Sequence, residues 1–135
     1  MRLGKRAVAA ASFLVVVGGA LATTVVSTVP AQAAVGVPQI LEGDQGFAVY
    51  CVQDAINWSI PEHLSLDGTF GPLTLKGVKD FQYIANLPQI DGQVGPQTGT
   101  DIWAAIQDQI DTVGNLSTPY GIPLSHCYQV VPTSS

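Results

Sequence analysis

Asp67-Gly68-Thr69-Phe70-Gly71-Pro72-Leu73-Thr74 returns 24 residues later as Asp91-Gly92-Gln93-Val94-Gly95-Pro96-Gln97-Thr98. The copies agree at the aspartate, both glycines, the proline and the threonine. Each copy has a physical reading. Asp-Gly is a turn pair, and Phe70 or Val94 plugs inward from it. Gly71 and Gly95 stand at a helix cap. Pro72 and Pro96 take the first helical position, where a missing N–H costs nothing and a fixed φ helps. Thr74 and Thr98 fall in the first turn, where a hydroxyl can meet a free backbone group. The repeat is a loop-to-helix start, used twice.

Helical spacing follows both starts. Val78, Phe81, Ala85 and Leu75 recur at three and four after the first; Ile102, Trp103, Ile106 and Ile110 do so after the second. An earlier helix spans about 47–58, with Val49, Val52 and Ile56 on one face, and Glu42 and Asp44 near its start suit the helix dipole. Nothing alternates long enough for a sheet. The expected fold is all-α: a small three-helix body at 41–110 with ordered, turn-rich loops, preceded by a linker at 34–40. An irregular tail, 111–135, follows it.

Residues 1–33 read differently. A basic head (Arg2, Lys5, Arg6), an apolar run from Ala7 to about Val26 and the small residues of Val29-Pro30-Ala31-Gln32-Ala33 have the layout of a secretory signal peptide. Removing it leaves 102 residues, enough for one modest core. The mature chain keeps ten acidic residues against Lys76 and Lys79, a net charge of −8. Such a chain cannot neutralise a phosphate backbone, so nucleic acid is excluded as a partner, and attraction to an anionic membrane is excluded likewise. Export places Cys51 and Cys127 in an oxidising compartment, where a disulfide is the default. Within one chain it would close a 76-residue loop, worth about 4 kcal/mol by chain entropy; pairing between two chains stays open at this stage.

At these residues the sequence resembles the peptidoglycan-binding domain family of bacterial wall hydrolases. Gly43, Gly46, Val49, Val52-Gln53 and Ile56 answer to the first part of that family's pattern. Asp67-Gly68-Thr69-Phe70-Gly71, Thr74, Gly77-Val78 and Phe81-Gln82 answer to the second. Asn86-Leu87, Asp91-Gly92-Gln93-Val94-Gly95 and Thr98 answer to the third. The likeness covers about 41–106. Gly77 stands where alanine is usual, at up to about 1 kcal/mol of helix propensity, and Asn86 replaces a glycine, which asparagine's tolerance of the left-handed region permits. The resemblance implies a three-helix fold and non-covalent binding of cell-wall peptidoglycan, here by a stand-alone secreted, wall-associated protein with no catalytic domain attached.

The inventory of chemistry agrees with a non-catalytic reading. His63 and His126 are far apart and show no zinc-protease spacing. No Gly-x-Ser-x-Gly occurs, and no metal or cofactor is called for. Ten acids leave paired-carboxylate chemistry open in principle, though most have turn or surface explanations. The candidate ligand contacts are Asp67, Gly68, Phe70, Gly71, Thr74, Tyr83, Asp91, Gly92, Gly95, Thr98 and Trp103, with Trp58 divided between edge packing and a sugar platform and His63 a loop residue. Helix N-termini would meet peptide carboxylates, and aromatic faces would meet sugar or alanyl surface. A monomer is expected. The second functional reading is an interaction protein that regulates another secreted protein, such as a wall hydrolase or protease.

Overall fold

The computed structural model describes residues 36–134, so the leader at 1–33 lies outside the described residues. Three helices follow in order, α1 Phe47–Ser59, α2 Pro72–Ile84 and α3 Pro96–Val113, and then a 3-10 helix, Leu124–Gln129. Pro72 and Pro96 open their helices as the repeat requires, behind Gly71 and Gly95 as N-caps. Neither cap supplies a side-chain hydrogen bond; instead each glycine carbonyl accepts the first helical N–H, from Leu75 and Gly99. Among the described residues only isolated bridges occur, no extended ladder.

α1 is the central element. It packs against α2, α3 and the 3-10 helix, and so buries Val49, Tyr50, Cys51, Val52, Gln53, Ala55 and Ile56 rather than one stripe. A helix covered on most sides loses the one-faced pattern from which its start was read. Phe70, Val78, Val94, Ile102 and Ile106 complete the core from the loops and outer helices. The segment 40–46 stitches the two repeat loops together: Ile40 exchanges both backbone hydrogen bonds with Val94, while Gly43, Asp44 and Gly46 bond to Phe70 and Gly68.

Two local expectations change. Asp44 is not in the first turn of α1, which holds no acidic residue; its carboxylate accepts from Leu41 N–H at 2.8 Å and closes the preceding turn. Ala85 is not core. It is exposed at the C-cap of α2, where the chain already turns toward Asn86 at φ 57°. Asn86 thus takes the left-handed conformation its composition allowed, and Leu87 N–H returns to the Gln82 carbonyl.

The tail is irregular but belongs to the body. Cys127 is bonded to Cys51, with Cα atoms 5.8 Å apart, so the pairing lies within one chain. Leu124, Cys127 and Val131 are buried in the core. Asn115 and Ser125 exchange hydrogen bonds, and Thr118 donates to the Ile122 carbonyl at 2.7 Å. The chain end crosses α3 at Gly99: a Cβ there would lie 1.6 Å from the Pro132 carbonyl oxygen, so only glycine admits the crossing. At Gly77 the constraint is softer: an added Cβ would stand 2.9 Å from a Leu64 methyl, the movable end of a side chain that would have to shift. The described elements, the core and the disulfide all lie within the compact unit Gln32–Ser135, which therefore holds what an independently folding body needs.

Candidate functional site

Each repeat loop is organised by a glutamine from the helix before it. Gln53 on α1 is buried, and its Nε2 lies 2.9 Å from Asp67 Oδ1, 3.1 Å from the Thr69 carbonyl and 3.0 Å from Thr74 Oγ1. Its Oε1 accepts from Gly68 N–H at 2.9 Å. Gln82 on α2 does the same for the second loop: 3.1 Å to Asp91 Oδ1, 3.0 Å to the Gln93 carbonyl, 3.0 Å to Thr98 Oγ1, and Gly92 N–H to its Oε1 at 2.8 Å. A carboxamide is the one neutral side chain that can donate twice and accept at a single point. Here it meets the turn glycine N–H and the carbonyl of the next residue in each loop, as burial demands. Gly68 and Gly92 sit at φ 70° and 80°, the turn conformation the Asp-Gly pair was read for.

The clamps fix the charge state of their aspartates. The Gln53 amide and then Thr69 N–H hold the Asp67 carboxyl below the usual carboxylate range. Gln93 N–H, ahead of the Gln82 amide, does so for Asp91. Both are therefore anionic at neutral pH. Thr74 and Thr98 are buried, and their hydroxyls serve the clamps rather than the free N–H groups of a first turn. Elsewhere, burial raises the Asp54 carboxyl above its ordinary range, partly offset by Gln109.

The surfaces above the two loops differ. Over the first lies the tail: the Tyr120 hydroxyl sits 2.1 Å from where a Gly68 Cβ would stand, and its ring meets Phe47 and Tyr50 edge-on, each at 5.7 Å between centroids. The second loop opens onto a cleft of about 230 Å³ lined by Gln39, Gln89, Gln93 and Gln97 together with Gln82, Asp91, Gly95, Pro96 and Thr98. The side chains of Gln39, Gln89, Gln93 and Gln97 make no hydrogen bond within the described residues, whereas Gln82 is consumed by its clamp.

Of the candidate contacts, Asp91, Gly95 and Thr98 line this cleft and Gly92 lies beneath it in the loop. Asp67, Gly68, Phe70, Gly71 and Thr74 belong to the first loop, with Phe70 only 1% exposed. Tyr83 stands 73% exposed on α2, outside the cleft lining. Trp103 lies half-buried beside Tyr128 of the tail, with ring centroids 5.8 Å apart. Trp58 donates its indole N–H to Asp108 at 2.9 Å, and His63 is exposed in the loop after α1. The four cleft glutamines escaped the sequence reading. Three of them had a signal where the repeats disagree: Thr69 and Leu73 become Gln93 and Gln97, and Ser65 becomes Gln89; Gln39 lies before the repeat and had none.

Among the described residues no group of three or more His, Cys, Asp or Glu is placed to hold a metal ion, and no helix is long and apolar enough to cross a membrane. Neither the curated proteins nor the solved structures contain a match to the chain. Residues 52–100 match the family model described as "Putative peptidoglycan binding domain". That span contains both glutamine clamps, both repeat loops and the start of α3, and over it the chain is similar to the peptidoglycan binding domain family.

Proposed function

We propose that the protein is an exported, non-catalytic module that docks on cell-wall peptidoglycan through the cleft at the second repeat loop. The match of residues 52–100 to the family model supports the polymer as partner. The observation that carries the location is the set of four glutamine amides, without a hydrogen bond among the described residues, rimming one cleft, while the equivalent positions of the first loop hold Ser65, Thr69 and Leu73. At about 230 Å³ the cleft is smaller than the roughly 300–1,000 Å³ of pockets that enclose whole small molecules. It suits one stretch of a long ligand lying across the surface.

The chemistry selects the stretch. The lining holds no cation, and its one ionisable group, Asp91, is kept anionic by its clamp. A free carboxylate finds no ion-pair partner in the lining, and Lys79 beside the loop already faces Asp91. Neutral groups that both donate and accept, the hydroxyls and N-acetyl amides of the glycan and the peptide bonds of the stem, match glutamine carboxamides. Such contacts are individually modest, about 0.5–1.5 kcal/mol net, so binding relies on the many copies a wall presents. It is also nearly independent of salt, since charge pairs are what salt screens.

Pelleting with purified sacculi tests this. The unit Gln32–Ser135 is expected in the pellet at low salt and still there near molar salt, with no soluble wall fragments released. Loss of most of the bound protein at high salt, or recovery in the supernatant throughout, would overturn the reading.

A further inference from the structure

The outward face of α2 points to a second copy of this chain. Thr74, Val78, Phe81 and Gln82 turn inward, and the opposite stripe carries Leu73, Lys76, Asp80, Tyr83 and Ile84, spaced at three and four along the helix. Leu73 is 74% exposed, Tyr83 73% and Ile84 62%, large apolar groups left largely uncovered by the described residues. Lys76 bonds to Asp80 one turn on and to Glu62 at 3.3 Å, and remains largely in solvent.

The order along the stripe is apolar, cation, anion, apolar, and it is self-complementary. Let two α2 helices lie antiparallel about a two-fold axis at the level of Val78, the midpoint of Pro72–Ile84. Leu73 then falls opposite Tyr83 of the second copy, and Lys76 falls opposite its Asp80; the same two contacts recur on the other side of the axis. An isologous interface requires such reciprocity, residue i meeting j while j meets i. The two lysines and two aspartates alternate around the axis, and the apolar groups close both ends.

The distribution of charge favours the same face. Lys76 and Lys79 are the only lysines outside the first 33 residues, no arginine occurs there, and both lie on α2. Two copies each carrying −8 over residues 34–135 repel one another in general; α2 is where each presents both of its lysines. We propose that the protein associates into an antiparallel homodimer through α2. The helix is about 20 Å long and one helix face falls short of the ~800 Å² per partner of standard interfaces, so the association is weak and concentration-dependent.

Sedimentation equilibrium on the unit Gln32–Ser135, from micromolar to millimolar, reads it out. The wild type is expected to move from monomer mass toward dimer mass. Lys76→Glu alone and Asp80→Lys alone each place like charges across the axis twice, and each is expected to weaken association by about tenfold. An equimolar mixture of the two variants restores opposite charges at both contacts, and the mixture is expected to associate as the wild type does. Circular dichroism confirms that each variant is folded; if either is not, the Lys76→Glu, Asp80→Lys double exchange, which restores the pairing within one chain, takes its place and is expected to match the wild type. Monomer mass at every concentration would overturn the proposal. So would charge variants that associate as the wild type, or a mixture no better than its components.

Discussion

The two loop-and-helix units share a skeleton and differ in what covers them. In both, a buried glutamine gathers an aspartate, a turn carbonyl and a threonine hydroxyl, and the distances agree within 0.2 Å from one clamp to the other. Above that skeleton the turn glycine is covered from different places, Gly68 by Tyr120 of the tail and Gly92 by Leu75 and Lys79 of α2, and the second unit borders a cleft, with glutamines where the first has Ser65, Thr69 and Leu73. Identity between copies therefore marks what folding requires. Difference between copies marks where a surface is free to do something else.

The sharpest way to break this comparison is at the clamps. Gln53→Glu and Gln82→Glu keep size and shape but replace the donating NH2 with an acceptor that faces an aspartate, a carbonyl and a hydroxyl oxygen. Each is expected to cost about 3–5 kcal/mol, as leaving a buried charge without a partner does, measured by urea denaturation. If the clamps are equivalent, the two costs agree to within about 1 kcal/mol. A large cost for one and none for the other would show that only one unit depends on its glutamine.

A smaller effect should separate the units. Tyr120→Ala removes the ring that closes over Gly68 and leaves Phe47 and Tyr50 without their edge-on partner. Because Tyr120 is 43% exposed, the expected loss is about 1–2 kcal/mol, below that of a fully buried aromatic. Hydrogen exchange should quicken around Gly68 and stay unchanged around Gly92. Equal quickening at both loops would contradict the assignment of the tail to the first unit.

Much of the skeleton was legible because turns and caps have local chemistry. Asp-Gly, the cap glycines, the prolines at the first helical position, Phe70 and Val94 as inward plugs, the left-handed Asn86 and the Cys51–Cys127 pairing all stand where the residues place them. What was not legible depends on contacts distant in sequence. Gln53 and Gln82 look like polar residues at the edge of an amphipathic helix; their partners lie 14 to 21 and 9 to 16 residues away. Thr74 and Thr98 read as local caps for the same reason. Gly77 reads as a propensity cost until Leu64 is placed beside the missing side chain, and the crossing of the Pro132 carbonyl at Gly99 has no local signal. The tail has no periodicity to read, since its order comes from side chains bonded across turns and from one disulfide. The candidate site was half visible. Asp91, Gly95 and Thr98 came from the repeat, while Gln89, Gln93 and Gln97 fall where the repeat fails, which a search for identity passes over, and Gln39 lies outside it.

The central claim is that the second unit, which borders the cleft, and not the first, meets the wall. The direct measurement is the amount of protein bound to sacculi, across a concentration series, for two double variants altered at equivalent positions: Gln89→Ala with Gln93→Ala in the second unit, and Ser65→Ala with Thr69→Ala in the first. The second-unit pair is expected to bind about tenfold more weakly, for two lost hydrogen-bonding amides, with stability unchanged because none of these side chains is buried. The first-unit pair is expected to bind as the wild type. Full binding by the second-unit pair, or an equal loss in both, would contradict the account.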